Sequence, residues 1–168
     1  MPGGFKKAEN KMRTKDYADI VIKPPILFLG ALLLGYVLTY LFPIGPGIAS
    51  PNGLGLMAGL AFMLVGFALA IFPARRFRKA GTSILPGEPS TALVREGMYK
   101  ATRNPIYIGL ILVYFGLCIV LTSVWMLILL IPAVIILHRG VVKREEDYLT
   151  WKFGDDYRRY MSQVPRWL

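Results

Sequence analysis

The chain has a single cysteine and a single histidine, and half as many acidic residues as basic ones. One thiol, Cys118, excludes an intrachain disulfide and leaves a metal site without thiolate partners; set in an apolar run, it reads as a small buried hydrophobe. There is no Ser-His-Asp order, no Walker motif and no G-x-G-x-x-G opening a helix, so the common hydrolase and nucleotide-binding signatures are missing, and no metal site is expected. Charge is absent from two long stretches: no Lys, Arg, Asp or Glu falls between Pro24 and Ala74 or between Asn104 and His138.

What is present is apolar. Hydrophobic residues make up 55% of the chain and charged ones 18%, with mean hydropathy +0.50, whereas a soluble domain carries nearer a quarter charged residues. One integral membrane domain is the economical reading. The net charge of +10 and pI of about 9.9 would suggest a nucleic-acid partner in a soluble protein. Here all Lys and Arg lie in residues 1–23, 75–103 and 139–168. Four crossings place those three blocks on one side, and the positive-inside rule makes that side cytoplasmic, with both termini. The excess charge then anchors the protein to membrane lipids through anionic headgroups, and no nucleic acid is expected. The first apolar run follows a long charged segment without a small-residue cleavage site, so it is not expected to be a removable signal.

Residues 1–23 are therefore expected to be a basic, interfacial segment, in which Tyr17, Ile20 and Val21 would form one face of a helix. Residues 24–168 form one membrane domain. Pro24-Pro25 starts a first crossing over 26–42, and the uncharged Gly- and Pro-rich stretch after it is an outer loop. A second crossing over 54–72 carries Gly55 and Gly59 in a G-x-x-x-G spacing that permits close helix packing, and RRFRK at 75–79 ends it. The connector, 80–102, has turn formers at Pro86-Gly87 and enough apolar residues to be ordered. The stretch 105–138 is too long for one crossing and fits two short ones, given a rise of about 1.5 Å per residue and a hydrocarbon core of about 30 Å. It is expected to turn near Thr122-Ser123 and return at His138, which brings the RNPIY and EE stretches to the same membrane face. The final residues, 139–168, are helical in pattern, break at Gly154 and end at Pro165. That helix would either lie on the membrane or close over a site. The fold class is thus all-α, with about four transmembrane helices, a cytosolic connector and a C-terminal interfacial helix.

Candidate chemistry lies at the two ends of the hairpin. Asn104-Pro105 suits a helix start, with Asn104 capping free amides, Arg103 adjacent and Tyr107 on nearly the same face; together they make an anion site. Glu145 and Glu146 supply carboxylates able to hold hydroxyls, an ammonium or a sulfonium. His138 is a candidate general base, with Arg144 as a second candidate catalytic residue.

Taken in order, LVREGMYKATRNPIYIG, the apolar hairpin, EEDYL and FGDDYRRYMSQVPRWL resemble the isoprenylcysteine carboxyl methyltransferase family and its phospholipid methyltransferase relatives. The motif-bearing part is 81–168. The resemblance implies S-adenosyl-L-methionine as methyl donor, bound at the cytosolic helix ends beneath the connector and C-terminal helix. Residue by residue it implies Thr91, Ala92, Leu93 and Val94 lining the cofactor and Tyr99 packing on it. Arg103, Asn104, Pro105, Ile106 and Tyr107 would hold its polar end. Glu145 would bind a polar group of the cofactor, and Glu146, counted with the cofactor residues, would chiefly support the fold. Arg139 and Arg144 would hold an anionic acceptor, either a lipidic small molecule or a lipidated peptide. Asn104 stands where the isoprenylcysteine enzymes usually have His, and the N-P-x-Y form looks more like the phospholipid enzymes. Related architectures include sterol reductases that use NADPH, and a non-catalytic membrane scaffold is the third alternative.

Overall fold

Residues 16–45 and 51–168 are described by a computed structural model of the chain; the basic residues at 1–15 and part of the first outer loop lie outside them. Among the described residues there is helix and no strand. The helices are α1 (Pro24–Leu41), α2 (Gly53–Lys79), α3 (Pro105–Val120), α4 (Val124–Leu137), α5 (Lys143–Phe153) and α6 (Asp155–Gln163), with a 3-10 turn at Gly97–Lys100 and a π-helical segment at His138–Val142. Three helical stretches, Pro24–Leu41, Gly53–Lys79 and Val124–Phe153, are long and apolar enough to cross a membrane, and Pro105–Val120 is a shorter apolar helix. The chain is an all-α integral membrane protein. Its exposed leucines, among them Leu33, Leu34, Leu54 and Leu64, face outward, as side chains in contact with lipid do.

Two antiparallel pairs make the bundle. In the first, α2 and α3 meet on glycines spaced seven apart. A Cβ at Gly59 would stand 2.9 Å from the Gly116 carbonyl oxygen, and one at Gly109 would stand 2.5 Å from that of Gly66. Without side chains at these points the backbones approach closely, which is how helices associate where no hydrophobic effect drives them together. The expected G-x-x-x-G pair is corrected: Gly59 packs across the interface, but Gly55 faces its own helix start, where Asn52 Oδ1 accepts from the Gly55 N–H at 2.7 Å. In the second pair, Gly35 of α1 lies against Met126 of α4. Thr39 and Ser123 share a buried 2.6 Å hydrogen bond there, and the Tyr114 hydroxyl donates to the Met126 carbonyl at 3.0 Å. Cys118 is buried in this core, as expected.

The hairpin turn falls at Thr122 and Ser123, with Thr122 at φ 48° and the Ser123 hydroxyl accepting from the Met126 N–H at 3.2 Å. Three further boundaries differ from expectation. The second crossing does not stop at Phe72; α2 runs through Pro73 to Lys79, so the basic run forms its last turns, where cations favour the helix dipole. The returning helix does not stop at His138 either, but passes through the π segment into α5. Residues 16–23 are not helical, so Tyr17, Ile20 and Val21 form no helix face. Lys23, just before Pro24-Pro25, is extended (φ −67°, ψ 128°), the conformation that a following proline imposes.

The glycine contacts give a direct test. Gly109→Val should overpack the α2–α3 interface by about 1–3 kcal/mol and lower the thermal unfolding midpoint in detergent. Gly30→Ala, with open space around it, should leave the midpoint unchanged. Equal stability of the two variants would refute the close-packing role.

Candidate functional site

The start of α3, the π segment, α5, α6 and the connector enclose a cavity of about 280 Å³ at one end of the bundle. Val142, Glu145 and Leu149 face it from the returning helix, a spacing that keeps them on one helical face. Neighbouring residues on that helix turn away by roughly 100° each, so the two glutamates part company. Glu145 is partly exposed, toward the cavity, and accepts a hydrogen bond from the Tyr107 hydroxyl at 2.7 Å. Glu146 is buried and forms ion pairs with two arginines: Arg103 Nη1 at 2.8 Å, and Arg166 through Nε at 2.9 Å and Nη2 at 2.5 Å. One carboxylate between two guanidiniums leaves an excess positive charge beside the cavity. Arg103 Nε and Nη1 are buried without a hydrogen bond; the 2.8 Å approach of Nη1 to Glu146 is ionic.

The C-terminal segment straps this arrangement together. Pro165 O accepts from the Arg103 N–H, and Arg166 O accepts from both the Thr102 hydroxyl and the Asn104 amide, each at 3.0 Å. Asn104 therefore does not cap α3 with its side chain, as the sequence suggested. Its amide group points instead to the Arg166 carbonyl, and Pro105 at the first helical position has no N–H to be capped. From α6, Tyr157 and Tyr160 line the cavity, and the Tyr160 hydroxyl donates to the Tyr99 carbonyl at 2.7 Å. Burial raises the Tyr99 and Tyr157 phenols well above their ordinary range and lifts Tyr160 to about 12, so all three stay neutral. The final helix thus closes over the cavity rather than lying beside it.

Of the residues singled out in the sequence, Ala92, Leu93, Val94, Tyr99, Arg103, Asn104, Ile106, Tyr107, Glu145 and Glu146 line the cavity. Thr91 and Pro105 do not. Thr91 pins the connector, its N–H donating to the Thr82 hydroxyl at 2.9 Å and its hydroxyl to Gly81 O at 3.0 Å. Pro105 is fully buried at the helix start. Nor does the structure bring His138, Arg139 or Arg144 to the cavity. His138 is partly buried with its ring 6.0 Å from that of Trp167, Arg139 is exposed, and Arg144 Nη1 donates to the Asp19 carbonyl at 2.6 Å. Arg144 stands one residue, roughly 100° of rotation, from Glu145 and reaches the 16–23 segment instead.

Arg166 and Tyr148 were missed. The Tyr148 hydroxyl accepts from the Ser90 N–H at 3.0 Å and lies 3.2 Å from Asp16. Tyr157 and Tyr160 carried a signal, because a separation of three puts both on one helical face. Arg166 follows the proline that ends the last helix, and no local pattern announces that the chain returns to Glu146.

These features define a class, the helical membrane protein with an enclosed, partly polar cavity at one end of its bundle. The phospholipid methyltransferase family model matches residues 54–156, which hold α2, the connector, the hairpin and most of the cavity lining. The chain belongs to that methyltransferase family. It is also similar to an uncharacterized protein of Haemophilus influenzae (strain ATCC 51907 / DSM 11121 / KW20 / Rd), 49% identical over 35 residues, a stretch that takes in 21% of this chain and 56% of that protein. No solved structure matches the chain.

The Glu146 cluster should be a stability determinant. Glu146→Ala leaves Arg103 facing Arg166 without a counter-charge, at a cost of about 3–5 kcal/mol for breaking a buried pair. Thermal unfolding should show a lower midpoint than for Glu88→Ala, whose carboxylate is exposed. An unchanged midpoint would show that the triad is not holding the C-terminal segment.

Proposed function

We propose that the chain is a methyltransferase that uses S-adenosyl-L-methionine at the cavity between α3 and α5 to methylate a lipidic acceptor, a phospholipid amine in preference to an isoprenylcysteine carboxylate. The observation that carries this reading is the Glu145–Tyr107 pair facing the cavity beside the apolar wall of Ala92, Leu93 and Val94, in a chain of this family. The donor is amphipathic and cationic, and the residues fit it. The carboxylate suits its positive charge or its hydroxyls, the apolar wall suits its ring system, and the excess positive charge of the Arg103–Glu146–Arg166 cluster suits its carboxylate.

Bound there, S-adenosylmethionine supplies an electrophilic methyl group on a sulfonium. The protein's own contribution is positioning and exclusion of water, which suffice for much of the rate in an in-line displacement. Tyr99, Tyr157 and Tyr160 close the cavity with neutral rings. Glu145 places a carboxyl group in the cavity whose partner is the Tyr107 hydroxyl. An amine must also lose a proton before it attacks, and a carboxylate within reach serves that need better than Glu146, whose oxygens are taken by two guanidiniums. A carboxylate acceptor asks for no base, so it makes less use of Glu145. In this reading the soluble donor arrives from the cytosol, on the side of the basic blocks, and the lipid acceptor arrives between helices.

Titration of the protein in lipid nanodiscs with S-adenosylhomocysteine and, in parallel, NADPH tests the reading. Micromolar binding of S-adenosylhomocysteine alone is expected. Glu145→Gln should weaken it by roughly tenfold or more, the value of a charge-assisted hydrogen bond, with the unfolding midpoint retained. Binding of NADPH alone would replace this reading with a reductase, and binding of neither with a scaffold. Methyl transfer from radiolabelled donor to phosphatidylethanolamine or to a prenylcysteine then identifies the acceptor.

A further inference from the structure

A second, more open cavity of about 410 Å³ lies beside the first, lined by residues 17–23 and by the connector turn 85–88. The two cavities share Ala18, Leu85, Pro86, Gly87 and Glu88, so the wall between them is built from two irregular segments and no helix. Outside this wall the lining carries Asp19, Lys23 and Glu88 and is reached by water. Inside it lies the site to which the donor has been assigned.

The inner segment, 16–23, is tied at one end by the Val21 N–H to Gly140 O at 3.0 Å and by the stiff Pro24-Pro25 start of α1. Gly140 belongs to the π segment, and a Cβ there would stand 3.3 Å from Val21 Cβ, so the strap is seated closely at this end. The Arg144 guanidinium holds the Asp19 carbonyl midway. Its other end is held by Asp16 Oδ1 to Lys152 Nζ at 2.6 Å, with the Tyr148 hydroxyl alongside. Against the connector it rests on a glycine: a Cβ at Gly87 would stand 3.7 Å from Ile20 Cγ1 and 3.8 Å from the Ala18 carbonyl oxygen, in ordinary van der Waals contact. With Val21 and Asp19 held, the stretch that the Asp16–Lys152 pair fastens is 16–18, which contains Ala18, the residue of this segment that lines both cavities.

We propose that residues 16–18 are a gate between the outer cavity and the donor cavity, latched by the Asp16–Lys152 ion pair, through which the water-soluble donor and its product exchange. The gate rests on the methyltransferase reading. Neither Asp16 nor Lys152 lines the donor cavity, so loss of the latch changes how often the gate opens while leaving the ligand's contacts in place. Surface plasmon resonance of the full chain in nanodiscs, with S-adenosylhomocysteine as analyte, measures this. Asp16→Asn and Lys152→Gln should each raise the association and dissociation rate constants by about three- to fivefold, with Kd unchanged within about twofold, as expected from releasing a partly exposed ion pair that holds a lid. The double variant should match the singles, because both remove the same latch. Rate constants unchanged in both variants, or effects that add in the double, would overturn the gate while leaving the donor site standing. Absence of binding by the wild-type protein would remove the donor site and the gate with it.

Discussion

Glu146 holds the site end of the molecule together. A buried carboxylate is costly unless its charge is met, and here it is met twice, by Arg103 from the residues before α3 and by Arg166 from the chain's last turn. That one cluster fixes the start of one membrane helix, the extension of another and the C-terminal segment relative to each other. The backbone bonds from residues 102–104 to Pro165 and Arg166 run parallel to it. With the frame fixed, the adjacent Glu145 is delivered to the cavity with only a phenol for a partner, and the two neighbouring carboxylates acquire different uses.

The π segment makes this division possible on a continuous helix. Its wider turn lies between the apolar α4 and the charged α5, with Gly140, Val141 and Val142 buried in it. Such segments recur at functional sites because they change the direction in which the following side chains point. Here Val142, Glu145 and Leu149 line the cavity, while Arg144 turns to the Asp19 carbonyl and Lys152 to Asp16. The same helix therefore serves the cavity and the segment that covers it.

Much of this organisation was legible in the chain. Charge-free stretches bounded by basic blocks marked the helices, because lipid tolerates few charges, and proline marked where helices start. The polar ends of the hairpin were expected at one membrane face, since two helices joined by a short turn must run back side by side, and residues of both line the one cavity. Less visible were features that join segments distant in sequence. Asn104 looked like a cap, yet the Arg166 carbonyl competes for its amide. Gly55 looked like part of a packing motif, yet only the seven-residue spacing of Gly59 and Gly66 meets the same spacing at Gly109 and Gly116. Tyr17, Ile20 and Val21 had the apolar spacing of a helix face, yet a proline pair follows them and the segment takes bends and a tight turn at Ala18–Ile20 instead.

Composition, periodicity and charge placement determined the class of fold, because it follows from the cost of placing charge and unpaired backbone in a hydrocarbon layer. Which glutamate is ion-paired, which arginines neutralise it, and which is left with a phenol for a partner all followed from the packed chain. Each is a matter of helix rotation and of contacts between residues far apart in sequence, and neither is written in a local run of side chains.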